Sequence, residues 1–333
     1  VLRIYFQDAD LSRVRVVRAP DPLWETVLGL YRLGADPADV PVFAGWQRRA
    51  RAAVHEHGLR GAVGMLRDLV PRVGYFPDFL TPAEARDGLS AGLAAVRDTP
   101  GERLARDIGY AGRSRRLPSW AHRLAGGDRL VLEDLAEAMD LVHGALVRPV
   151  WDEVEAAVGV ERSLRGAALL DGGVEAMLAS MRPVLRWDRP VLSADYPIPL
   201  EVHLGGRGLL LIPSYFCWGK PVALVDPALP PVLVYPVEHP PSWVDGVSAG
   251  RRGALEALLG RTRAAVLAAL VGTATSTELA ARLGISTASA SEHVGVLRDA
   301  GLVASQRAGR TVRHTLTPLA VAVLAGQHRT FRA

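Results

Sequence analysis

The chain of 333 residues holds a single cysteine, Cys217, and a single lysine, Lys220. One cysteine permits no intramolecular disulfide and excludes every thiolate-rich zinc arrangement within one chain, so a reducing compartment, the cytoplasm, is expected. No uninterrupted apolar stretch approaches the roughly 18 residues that a membrane span needs, and no membrane partner is expected. The first residues, Val1-Leu2-Arg3-Ile4, lack the charged leader, apolar core and small-residue cleavage site of a secretion signal.

Motifs of catalysis are lacking as well. There is no G-x-S-x-G and no Walker loop, and GGRG at 205–208 is not a dinucleotide fingerprint. His55-Glu56-His57 is not a zinc-protease motif, because residues two apart on a helix do not face one another. Glu201 and His203 share one face of a predicted strand, but Leu200, Val202 and Leu204 take its apolar face and leave the pair solvated. No catalytic residue, cofactor or enzymatic activity is therefore expected.

What is present is room for two domains, since the length is roughly twice that of a 150-residue domain. About half of the chain is apolar and 22% is charged, which excludes a mostly disordered chain. The formal charge of +4 conceals an asymmetry. Residues 251–333 carry 11 Arg against 4 acidic residues, or +7, whereas the first 250 carry 28 basic against 31 acidic, or −3. A small basic domain behind a larger acidic one is the footprint of a nucleic-acid-binding module, because cations displace condensed counterions from phosphates. The excess of Arg over Lys reads as a bias of base composition and is no phosphate signature in itself.

Along the chain, alternation at 2–6 and 13–17 predicts two short strands. From Pro22 the period becomes helical behind Asp21 as N-cap, and further helices are predicted at about 41–57, 61–70, 82–97, 130–146 and 149–181. Residues 1–185 thus read as mostly helical and 186–240 as β-rich. Gly205-Gly206-Arg207 between the runs 199–204 and 208–214 predicts a hairpin. Pro227, Pro230, Pro231, Pro236, Pro240 and Pro241 belong at strand ends or edges and argue against a packed central strand there. Residues 238–250 read as a linker, so the division is 1–240, a sensor or oligomerisation domain, and 251–333. The expected fold class is α+β, a mostly helical N-terminal region with a small β-rich subdomain followed by a winged helix-turn-helix.

The C-terminal expectation comes from 275–303, TSTELAARLGISTASASEHVGVLRDAGLV. Thr275 with Glu278 three residues on is a capping box, Leu279 and Leu283 form a buried face, and Gly284 ends the helix. Ile285 in the turn is placed to pack between the helices. Ser286 then caps a second helix whose Ala290, Val294 and Leu297 face the core, while Thr287, Ser289, Ser291 and Glu292 face outward. Helix, Gly-containing turn, helix is the layout that puts a recognition helix into the major groove. LVASQ, RAGR and TVRHTL at 302–316 predict a hairpin with Gly309 at its tip and Arg307, Arg310 and Arg313 as phosphate contacts, and Thr317 opens a last helix.

This run, in TELAARLGIS, SASEHVGVLRDAGLV and QRAGRTVRHTL, resembles the ArsR-type winged helix-turn-helix. DPLWETVL, GRGLLLIPSYFCW and PVLVYPV similarly resemble the long uncharacterised region ahead of that module in a group of bacterial regulators. The resemblance implies a homodimeric transcription regulator, often a repressor, bound to double-stranded DNA. Metal-sensing members of that family carry Cys pairs before the recognition helix, or Asp, His and Glu ligands along the last one. Here the first place reads ELAARL and the second offers only His328, so no metal site is expected.

The candidate DNA contacts are Ser286, Thr287, Ser289, Ser291, Glu292, His293, Arg307, Arg310 and Arg313. Small hydroxyl residues let a backbone approach phosphates and bond either base edges or phosphate oxygens, whereas Glu292 needs a cytosine amino group or a neighbouring Arg. His293 is equally suited to helix packing, and Gly295 either to close approach or to simple tolerance. Trp187, Tyr196, Tyr215, Phe216, Trp218 and Tyr235 are candidates for lining an effector pocket, with core packing as the alternative. Cys217 among them reads as inert core. Two other readings stay open: a winged-helix protein-interaction scaffold, and an enzyme fused to a DNA-binding tail.

Overall fold

The computed structural model describes residues 1–333 except 38, 72–73, 114, 225–228, 240–254, 271–273, 309–310, 318 and 321–333. It divides into two compact units, Val1–Glu238 and His239–Ala333. The fold is α+β.

Unit 1 opens with β1 (Leu2–Tyr5), α1 (Asp8–Leu11) and β2 (Arg15–Val16), and continues with helices α2 (Pro22–Gly34), α3 (Ala44–Glu56), α4 (Arg60–Leu69), α5 (Leu89–Arg97), α6 (Gly101–Gly112), α7 (Ser119–Ala125), α8 (Arg129–Leu146) and α9 (Trp151–Ala179). The strands β3 (Leu185–Asp188), β4 (Val191–Ala194), β5 (Leu200–His203), β6 (Leu210–Ser214), β7 (Val222–Ala223) and β8 (Val232–Pro236) follow. Two four-stranded sheets result, ordered β3-β4-β1-β5 and β2-β6-β8-β7. The N-terminal strands are therefore integral to the β region. Leu2 pairs with Ala194 on one side and Leu200 on the other, which no local pattern announces.

Alternation along the second sheet assigns its two faces to two cores. Ile212 and Val234 pack into the large helical cluster with Leu23, Trp24, Leu135 and Leu146, while Leu211, Leu233 and Tyr235 pack into a smaller cluster with Leu2, Ile4, Leu185 and Leu192 of the first sheet. The first sheet turns its other face to solvent, where Tyr5 stacks on His203 at 4.6 Å and its hydroxyl donates to Glu201.

Three expectations are corrected. The runs around 205–207 form no hairpin: β5 pairs with β1 in the first sheet and β6 with β2 and β8 in the second, so the glycine segment is a crossover between sheets. Gly208 (φ 74°) is required there, since a Cβ would stand 2.5 Å from the Arg13 carbonyl oxygen. The proline-rich stretch does hold an interior strand, β8, because Pro231 precedes it and Pro236 ends it, leaving Leu233 to Tyr235 to pair and pack. The predicted helices 82–97 and 149–181 are interrupted, the first at Gly88 (φ 120°) and the second at Gly172-Gly173, whose backbone leaves the helical region.

Long-range polar ties complete unit 1. Asp21 caps α2 by accepting from the amides of Leu23 and Trp24. Glu25, fully buried, accepts from the amides of Tyr215 and Phe216 at 2.8 and 3.0 Å and from the Ser214 hydroxyl at 3.0 Å, so it pins α2 to the end of β6. Burial pushes the Glu25 carboxyl up to about 7 against the pull of those three donors. Trp46 donates to the Leu146 carbonyl at 2.8 Å, tying α3 to α8. The partners of Glu25 and of Trp46 lie 100 residues or more away along the chain, whereas the Asp21 cap is local.

Unit 2 comprises a helical stretch at 255–259, then α10 (Arg261–Ala269), α11 (Ser276–Leu283), α12 (Thr287–Asp299) and the hairpin β9 (Val303–Ala308) and β10 (Thr311–Leu316). Its core is Val266, Leu267, Leu270, Leu279, Ala290, Val294, Leu297, Leu302 and Val303, with Ile285 packed against it from the turn. Of the linker only Glu238 and His239 are described, and His328 lies outside the described residues.

Candidate nucleic-acid interface

The cap of α11 is reciprocal: the Glu278 amide donates to Thr275 Oγ1 at 3.2 Å, and the Thr275 amide to the Glu278 carboxylate at 2.8 Å. The Thr275 amide and hydroxyl and the neighbouring Arg313 and Arg282 side chains hold the Glu278 carboxyl below its usual range. Gly284 then takes a left-handed conformation (φ 65°, ψ 31°) that a side chain would resist, turning the chain sharply out of α11. Two residues later Ser286 accepts from the Ser289 amide at 3.1 Å and starts α12.

Ala290, Val294 and Leu297 bury one face of α12 against α10, α11 and β9. The opposite face runs through Thr287, Ala288, Ser291, Glu292 and Val296, all exposed. Thr287 and Ser291, one turn apart, are the hydroxyls that project most openly from the helix, and Glu292 lies beside them. Ser289 and His293 are half-buried on the flanks and Ser286 is exposed at the cap. A Cβ on Gly295 would meet nothing within 4 Å, so this glycine serves no packing within the unit and leaves the helix surface low at that point.

The wing separates residues that the sequence groups together. Arg307 stands opposite Val312 and Arg313 opposite Gln306, and neighbouring pairs in an antiparallel ladder project to opposite faces. Arg307 therefore shares the face of Val303, Ser305 and His314 toward the tip, while Arg313 projects from the other face. Both are exposed. Arg310 and the tip glycine Gly309 lie outside the described residues.

One residue missed by sequence reasoning holds the wing in place. His314 is 6% exposed, with Nε2 3.0 Å from Ser276 Oγ at the start of α11 and Nδ1 2.9 Å from Ser305 Oγ across the hairpin. Its backbone also pairs with Ala274 in both directions. Burial, reinforced by the Arg298 charge, lowers its pKa, so the neutral ring is favoured. The available signal was the His-Ser alternation of β10 and β9, which acquires meaning only once their register is known.

The six aromatic candidates do not converge. Trp187, Tyr196 and Tyr235 belong to the smaller core of unit 1, whereas Tyr215 and Phe216 belong to the helical core on the other side of the second sheet. Phe43 contacts Tyr215, Phe216 and Trp218, and Trp218 is the most exposed of the six, at 37%. Cys217 beside them is buried, which pushes its thiol up to about 12.

Residues 258–306 match the family model described as a helix-turn-helix domain. No curated protein and no solved structure is significantly similar to the chain. The match spans α11, the turn and α12, the elements whose caps and exposed face are described above. It marks the chain as carrying the DNA-binding domain of a transcription regulator. Among the described residues, no helix is long and apolar enough to cross a membrane.

Proposed function

We propose that this protein is an ArsR-type transcriptional repressor that binds DNA as a homodimer in the cytoplasm, and that it works by binding rather than by catalysis. The observation that carries the reading is the exposed stripe of Thr287, Ser291 and Glu292 on a helix fastened by Ser286 and Gly284, with a cationic hairpin beside it. α12 is the recognition helix: its N-terminal hydroxyls meet base edges and phosphates in the major groove, and Arg307 and Arg313 meet flanking phosphates. Two copies would read half-sites about 10 to 10.5 base pairs apart, or a multiple of that. Unit 1 is the sensor or oligomerisation part, and a small-molecule effector bound to it would act through its different affinity for DNA-competent and DNA-incompetent dimers.

Gel-shift titration against DNA upstream of the protein's own gene, at several salt concentrations, tests the DNA-binding core of this reading. Affinity should fall linearly with the logarithm of salt. Absent or salt-insensitive binding would overturn it.

A further inference from the structure

Unit 1 sits in the acidic part of the chain, yet its charge is unevenly placed. Residues 44–60, covering α3 and the start of α4, carry Arg48, Arg49, Arg51 and Arg60 against Glu56 alone, and all five are exposed. The acidic residues lie elsewhere: Glu133, Asp134, Glu137 and Asp140 line the exposed side of α8, and Asp152, Glu153 and Glu155 the first turns of α9.

On α3, Trp46, Gln47 and Ala50 face the core, which leaves Gly45, Arg48, Arg49, Arg51 and Ala52 outward. The guanidinium groups of Arg49 and Arg48 both fold back over Gly45, within 3.7 and 4.0 Å respectively of where its Cβ would stand. Like charges held side by side repel one another. Among the described residues, neither Arg48, Arg49 nor Arg60 has an ion pair or a hydrogen bond through its side chain, while Arg51 donates to the Leu33 carbonyl. Arg60 follows the turn at the far end of α3.

We propose that this face of unit 1 is a second DNA contact, gripping the phosphate backbone in addition to the winged helix. The inference rests on the DNA-binding reading of unit 2 and extends it to a unit that the helix-turn-helix match does not cover. The chemistry favours phosphates over a protein partner. None of the exposed large apolar side chains lies between 44 and 60, so the face lacks the anchors that protein interfaces use at their centres. The same lack disfavours a membrane surface, where stable binding adds apolar insertion to charge. Guanidinium groups pair with phosphate oxygens bidentately and need no such anchor.

The test uses the full chain and a labelled 40-base-pair duplex of mixed sequence, with affinity measured by fluorescence anisotropy from 50 to 200 mM salt. Replacing Arg48, Arg49 and Arg60 by Ala removes three phosphate contacts, so the slope of log affinity against log salt should become shallower by about 2.7. Across that salt range the variant would then lose about 40-fold less affinity than the wild type. The corresponding triple Lys variant should keep the wild-type slope, and each single Arg→Gln variant should lower it by about 0.9, which preserves the test if the triple Ala variant does not fold. An unchanged slope with DNA binding retained would overturn the inference and leave the regulator reading intact. No DNA binding by the wild-type chain would overturn both. Loss of binding to phosphatidylserine vesicles with the DNA slope unchanged would overturn the inference in favour of a lipid surface.

Discussion

The polar ties that define the elements within each unit differ in reach. In unit 2 the capping box, the Ser286 cap and the left-handed Gly284 all act within three or four residues. In unit 1 the decisive polar ties run from Glu25 to Ser214, from Trp46 to Leu146 and from Asp10 to the Gly208 amide, across 100 residues or more. The strand pairings of β1 and β2 are equally distant. A unit built from short-range devices folds around motifs that a reader of the sequence can name. A unit built from long-range ties keeps its logic hidden until the chain has folded.

The strongest challenge to this contrast is to cut one long tie. Glu25→Ala would leave two buried amides and a hydroxyl without their acceptor, at a cost of about 3 kcal/mol or more to unit 1. Hydrogen exchange should show the Tyr215 and Phe216 amides losing protection while those of α12 keep theirs. The same residue predicts a pH dependence. Its carboxyl is raised from 4.5 to about 7 in the folded state, so its contribution is fully present below pH 4.5 and is lost as pH rises through about 7. His143 acts in the opposite sense: burial lowers it from 6.5 to about 4, and its contribution is lost as pH falls through that window. Comparing wild type with Glu25→Gln isolates the first effect. The stability difference between them should shift by about 3 kcal/mol between pH 4 and 8, and a constant difference would contradict the buried-carboxyl account.

Cutting a short tie should cost less and stay local. Thr275→Ala removes the acceptor for the Glu278 amide and should destabilise α11 by about 1 kcal/mol, read as faster exchange at Glu278 with unit 1 unaffected. The smallest effect on stability, near zero, is expected for Arg307→Ala and Arg313→Ala, because both side chains are exposed. Each should nevertheless lower the salt slope of DNA binding by about 0.9 if it meets a phosphate. Since the two project from opposite faces of the hairpin, a loss confined to one of them would tell which face of the wing meets DNA.

Much of unit 2 was readable because helix boundaries there carry local signatures: the Thr275-Glu278 spacing, the glycine after Leu283, and the Ser286 cap before the Ala290, Val294 and Leu297 stripe. In unit 1 the same reasoning found α2 through Asp21 and Pro22, and most of the long helices through their apolar period. It missed α6 and α7, which begin at Gly101 and Ser119 without a side-chain cap. It also joined β5 to β6 as a hairpin, because glycines with positive φ serve a crossover between sheets as well as a tight turn. The candidate site divides along the same line. The outward face of α12 was readable from its period, while the opposed faces of Arg307 and Arg313 and the role of His314 needed the register of the hairpin.

The sequence by itself determined that a basic, helix-turn-helix-bearing quarter follows a larger acidic part, since net charge, caps and helical period are properties of residues and their near neighbours. Tertiary structure alone decided where the charge within that larger part would lie. Arg48 and Arg49 become a shared surface only because Trp46, Gln47 and Ala50 turn the other side of their helix into the core. The sum of charges is additive along a chain, but the field it makes depends on which faces folding leaves in water.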